Sequence, residues 1–241
     1  MRDPFEESYR LSDQAIERLR KKALKRLNLL KMRFRQLKFD ELNVLSGVDK
    51  LYLNLDSDNR AEYVELWFAR YCEVRRWVLR GHKPEEDDLV AMYLCGMLKD
   101  PDKVSEAEEE IYTKANERLD DLLSEPNPTT QYAYDPEVLR KRDRCKEATV
   151  VASGAGAKQK VLDKHLRYFE TMTAWYADFT SEDATTQALA DTGVQRVRWV
   201  TQRDEKVCEE CEHLDGLIFP IGRIPPDPHP GCRCYVVPVR S

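Results

Sequence analysis

The sequence has no long apolar run. No stretch of its 241 residues approaches the roughly 18 consecutive apolar side chains of a membrane span, so no such helix is expected. The opening MRDPFEESYR has no apolar segment behind its charges, so no secretory leader is expected either. No internal repeat is visible. Cysteine is scarce over most of the length: Cys72, Cys95 and Cys145 are the only ones before residue 208. They fall in helical patterns and read as buried small hydrophobes. A chain made in the cytosol seldom keeps disulfides, which weakens a disulfide framework. What is present is a chain 41% hydrophobic and 34% charged, long enough for one or two domains with a real core.

Charge is unevenly spread along it. Arg10 to Lys38 holds eleven Lys/Arg and two acids, whereas Glu85 to Glu125 holds fourteen acids and four bases. Such polarity can steer assembly between copies or onto a charged partner, although solvated helix faces are the favoured reading of any single run.

Periodicity predicts a mainly helical body. Ile16, Leu19, Ala23, Leu27, Leu30, Phe34 and Leu37 form a stripe over residues 12–41, an arm dense in Lys and Arg. Residues 42–58 read as irregular, on Gly47 and the polar DSDN. Helices are expected over about 61–80, from Pro84 to near Asp100, over 103–123, from Asp135, over 159–179, and from Ser181 to Gly193. The three prolines of SEPNPTTQYAYDP (124–136) predict a linker. SGAGAK (153–158) has neither a preceding strand nor the Lys-Ser/Thr pair of a phosphate loop and reads as a flexible joint. Beyond Gly193 the period changes to two: Val197, Trp199 and Thr201 alternate as in a strand, and CRCYVVPV is strand-like up to Pro238. The fold class expected is α+β, with a helical N-terminal and middle region and a small C-terminal β module stapled by a cysteine/histidine cluster.

That cluster is Cys208-x2-Cys211 followed by His229-x2-Cys232-x-Cys234, with a 17-residue segment, Glu212 to Pro228, between the two elements. The spacing is close to that of structural zinc sites, where paired ligands on tight turns face one tetrahedral ion. Cys208, Cys211 and Cys232 form the centre of the candidate set, and His229 or Cys234 supplies the fourth ligand. On a regular strand Cys232 and Cys234 would stand nearly 7 Å apart, roughly twice the 3.3 Å rise, which favours His229 unless the chain bends. His213 is a weaker candidate. A disulfide, redox chemistry and a catalytic zinc served by Glu209, Glu210, Glu212 or Asp215 are the competing readings. A structural ion suits the last 48 residues, from Val194, whose few large apolar side chains make a meagre core.

At this point VRWVTQRDEKVCEECEHLDGLIF…IPPDPHPGCRC resembles the C-terminal domain of the phage Mu F-like minor head proteins, the phage head morphogenesis family. The resemblance is carried by Trp199, Asp204, Cys208, Cys211, Gly216, Pro225, Pro226, His229, Pro230, Cys232, Arg233 and Cys234 in that order. It is strong over about 194–238. The Arg-Thr-Glu element often found before the tryptophan strand has no counterpart in FTSEDATTQALADTG. The resemblance implies a non-enzymatic virion component, made in the host cytoplasm and located in the virion head. It would associate with the phage portal and/or major capsid protein and assist assembly, DNA packaging or DNA ejection. Packaged DNA is a further candidate partner. The implied organisation is a helical portal- or capsid-binding part at 1–134 and a Mu F-like domain at 135–241, with its zinc-type module at 194–241. Arg233, between two cysteines, is a candidate to pair with Asp204 or Asp215. The competing function is a nucleic-acid-binding or nuclease-type zinc protein; a zinc nuclease would need a His-bearing helix after the metal loop, and only seven residues follow Cys234.

Overall fold

The computed structural model describes residues 41–80, 83–124, 155–202, 207–225, 232 and 234–239, with six positions between 14 and 25. Those six, Gln14, Glu17, Arg18, Lys21, Lys22 and Lys25, are helical and exposed, on the predicted basic arm. The rest of the arm and the proline-rich 124–136 stretch beyond Ser124 lie outside the described residues, as do Cys145 and the expected helix start at Asp135.

The helical layer consists of α1 (Glu41–Val78), the short α2 (Leu89–Leu94), α3 (Pro101–Ser124) and α4 (Ala155–Asp191). At 38 and 37 residues, α1 and α4 are each about 55 Å long at 1.5 Å per residue. Their starts and stops follow local chemistry. Asp88 caps α2 by accepting the Ala91 N–H at 2.8 Å. Pro101 takes the first position of α3, and the Asp100 carboxylate accepts the Asp102 N–H at 3.1 Å. After α4, Gly193 adopts φ +75°, so Val194 N–H can return to the Leu189 carbonyl at 3.1 Å.

Four expectations are corrected here. Residues 42–58 are helix rather than irregular chain. One glycine and a polar tetrad lower helix propensity by under about 1 kcal/mol each, too little to break a helix with no proline in it. The helix expected from Pro84 is only α2. The two helices expected on either side of Ser181 are one: Ser181 is buried inside α4, and its carbonyl accepts the Thr185 hydroxyl at 2.8 Å. Residues 155–158, expected in a joint, form the first turn of α4.

The contacts of α1 with α4 advance together along both helices. Tyr63 meets Tyr176, Trp67 meets Asp183, Arg70 meets Thr185 and Tyr71 meets Asp191, so the two helices run parallel. α3 runs antiparallel to both, with Arg60 on Asp120 and Arg118 on Asp183. Small side chains on α4 let α1 approach closely: Ala177, Ala184 and Ala188 are all fully buried.

Two polar clamps cross this apolar interface, each using one residue from each of three helices. In the first, Trp67 Nε1–H donates to Asp183 at 2.8 Å, and Arg118 forks onto the same carboxylate, with Nε at 3.1 Å. In the second, the Tyr71 hydroxyl donates to Asp191 at 2.6 Å, and Lys114 pairs with it too. Burial alone would raise the Asp191 pKa. Hydrogen bonds from Lys114, Tyr71 and Gln187 outweigh it and hold the carboxyl below the usual carboxylate range.

The chain then enters a three-stranded antiparallel sheet of order β2-β1-β3, from β1 (Arg196–Val200), β2 (Ile218–Pro220) and β3 (Tyr235–Pro238). The predicted alternation in β1 holds: Val197 and Trp199 are buried, Arg196 and Arg198 exposed. Val197 pairs with Phe219 and Trp199 with Val236, so the inner face is apolar across all three strands. A single buried cluster runs from Tyr63 through Leu189 to Val236. The α+β class is therefore observed: a mainly helical chain with a small sheet at its C-terminal end.

Candidate metal centre

Between β1 and β2 the chain makes a six-residue helix, α5 (Glu209–Leu214), which the sequence reading did not separate from the Cys-x-x-Cys turn. Cys208 is its N-cap, with extended backbone (φ −80°, ψ 162°), and its Sγ accepts the Cys211 N–H at 3.3 Å. One turn on, Cys211 points into the protein and is 1% exposed. Cys232 and Cys234 arrive from the other side, just before β3 begins at Tyr235. They precede the strand rather than lie on it, and their sulfurs stand within 4.8 Å of each other, closer than the roughly 7 Å of a regular strand.

Cys211, Cys232 and Cys234 place their Sγ atoms within 4.8 Å of one another, all buried. Cys211 Sγ and Cys232 Sγ are 3.5 Å apart. Sulfurs sharing one tetrahedral ion at about 2.3 Å stand about 3.8 Å apart, so this trio fits one face of such a site. It can hold a metal ion. Burial, and then contact with the Cys208 thiol, push the Cys211 thiol up to about 12. An incoming cation would therefore displace a proton that the protein alone retains. None of the described cysteines is in a disulfide.

The other predicted residues divide clearly. Trp199 and Gly216, distant in sequence, bond directly: the Gly216 N–H donates to the Trp199 carbonyl at 2.9 Å, and the Trp199 N–H donates to the Leu217 carbonyl at 2.9 Å. Gly216 has φ +79°, a left-handed conformation that lets the chain leave α5 and enter β2. Trp199 is 2% exposed, and its indole N–H has no hydrogen-bond partner among the described residues. His229, Asp204 and Arg233 lie outside the described residues, so the fourth-ligand choice and the Arg233 pairing stay at the level of sequence for those members. His213 is exposed and donates from Nδ1 to the Glu209 carbonyl at 2.6 Å. Glu209, Glu210 and Glu212 are exposed on α5.

The sequence reading missed the brace that holds this loop. Asp215 accepts the Thr201 N–H at 2.9 Å, tying the end of α5 to the end of β1, and Thr201 is buried. An Asp one residue before a glycine was the available signal, since such carboxylates bond nearby backbone in turns. The expectation for the scattered cysteines holds for Cys72, which is buried with its thiol raised to about 11 by burial, and fails for Cys95, which is exposed just beyond α2.

The fold and site thus define a helical protein whose small β module is built around converging cysteines. Residues 144–237, less than half of the chain, match the family model described as Phage Mu protein F like protein, so over this stretch, which includes all of α4, the chain is similar to that family. The family points to phage head morphogenesis and to contact with other head components. Comparison with curated proteins and with solved structures found no match. Among the described residues no helix is long and apolar enough to cross a membrane.

Proposed function

We propose that this chain is a minor head protein of a tailed phage. It would be a structural, non-catalytic virion component that binds the portal or major capsid protein and assists assembly, packaging or ejection. The match over residues 144–237 carries this reading. The ion is zinc, held by Cys208, Cys211, Cys232 and Cys234, and its contribution is folding energy for the C-terminal module. Cys234 lies within 4.8 Å of Cys211 and Cys232, which supports it over His229 as the fourth ligand. Cys208, already against the Cys211 amide, completes the set by a side-chain rotation. The nucleic-acid reading gains less. Of the described basic-arm side chains, Lys22 already pairs with Glu62 of α1.

The test is co-expression with the phage's own portal and major capsid proteins, followed by pull-down and metal analysis of the purified chain. Capture of either partner and about one zinc per folded chain are expected. Zinc should survive His229→Ala and be lost in Cys234→Ser. A folded chain that captures neither partner would remove the head-protein reading, and one lacking zinc would remove the metal.

A further inference from the structure

A tetrahedral ion and a disulfide make competing demands on the same sulfurs. The ion keeps thiolates about 3.8 Å apart; the covalent bond brings two of them to about 2.05 Å. Cys211 Sγ and Cys232 Sγ already stand at 3.5 Å, so closure requires about 1.5 Å of travel, within reach of small side-chain rotations. The two residues come from different segments, α5 and the approach to β3, so a bond between them would tie the same ends that the ion ties. Cys211 also meets the Cys208 and Cys234 thiols, with Cys234 Sγ within 4.8 Å of Cys211 and Cys232. The Cys211–Cys232 pair is favoured because its 3.5 Å separation joins two segments, whereas Cys232 and Cys234 are separated by a single residue.

We propose that Cys211 and Cys232 are a disulfide-forming pair, and that the C-terminal module has two mutually exclusive staples. One is the ion; the other is the Cys211–Cys232 bond, formed when the ion is absent and a low-molecular-weight disulfide is present. In that exchange one protein thiolate attacks the oxidant and releases a thiolate. The second protein thiolate then attacks the resulting mixed disulfide and releases another. The two cysteine protons end on the two released thiols, and the two electrons lost by Cys211 and Cys232 reduce the oxidant. The proposal concerns the sulfurs of the metal reading and rests on that reading for the competition between the two states.

Peptide mapping of the full chain tests it. Trypsin cuts after Lys206, Arg223 and Arg233, which places Cys208 and Cys211 on one peptide, Cys232 on a second and Cys234 on a third. The chain is compared zinc-loaded and chelator-stripped, each treated with oxidised glutathione and digested without reductant. The stripped chain should join the first two peptides, at least about tenfold more than the zinc-loaded chain. The link should persist in Cys208→Ser and vanish in Cys211→Ser. Cys234→Ser, which loses a metal ligand but keeps the pair, should form the link without chelator, so the result does not depend on stripping. A dominant link within the first peptide, a link to the third, or equal linking with zinc bound would overturn the proposal. A chain isolated without zinc that still forms the link would sink the metal reading and leave the pair standing. A zinc-bound chain that forms no link after stripping does the reverse.

Discussion

At the scale of single residues, a few side chains do more than their size suggests because they sit where helices or turns must meet. Asp191 accepts from Lys114, Tyr71 and Gln187 at once. Its folded carboxyl holds its proton less readily than an unfolded one would. The stability this adds is therefore complete above the usual carboxylate range and drains as the pH falls through it, below about pH 4. Urea unfolding of Asp191→Asn should show a loss of about 1–3 kcal/mol at pH 7 and a shallower decline in acid than the parent. An unchanged acid slope would show that other carboxylates carry it. Gly216 makes a different case. A Cβ there would meet nothing within 4 Å, so Gly216→Ala is charged only for its backbone. At φ +79° that should be about 1–2 kcal/mol, measurable by denaturant unfolding.

At the scale of elements, the close pairing of α1 and α4 depends on the small residues between them. Ala184 is fully buried among side chains packed to crystal-like density. Ala184→Leu should push the helices apart and cost about 1–3 kcal/mol. Leu119 of α3, also fully buried, should cost about 2–5 kcal/mol on truncation to Ala, since a cavity is left behind. Thermal unfolding of both variants ranks them; a tolerated Ala184→Leu would mean the α1–α4 seam is looser than its burial indicates. Much at this scale was legible in advance. The helix expected over 103–123 announced α3, and the alternation of Val197, Trp199 and Thr201 announced β1. The continuity of α1 through 42–58 and of α4 through Ser181 was not. Polar residues that look like local breaks are overruled when long helices gain tertiary packing along their length.

At the scale of the whole molecule, the Mu F-like region and the preceding helices share one core. α4 lies wholly within the matched residues, yet its buried face is covered by α1 and α3, which lie outside them. A fragment of residues 144–241 would expose Ala177, Ala184, Ala188 and Leu189 and leave Asp183 and Asp191 without Arg118, Trp67, Lys114 and Tyr71. It should lack cooperative unfolding and lose helical signal by circular dichroism even with zinc supplied. A fragment that folds cooperatively would instead make the C-terminal region an independent domain, as the 135–241 boundary envisaged.

The amino-acid sequence by itself determined the helical period of α3, the alternation of β1 and the polarity of its faces, and the grouping of cysteines near the C-terminus. These are local properties, set by side-chain type and spacing along a chain of known geometry. Only the tertiary structure decided which sulfurs converge. Cys234 joins Cys211 and Cys232 because it stands ahead of β3 and not on it, and Asp183 and Asp191 become clamps because three helices stack at those levels. Both outcomes depend on contacts between segments far apart in sequence, whose energies no local pattern encodes.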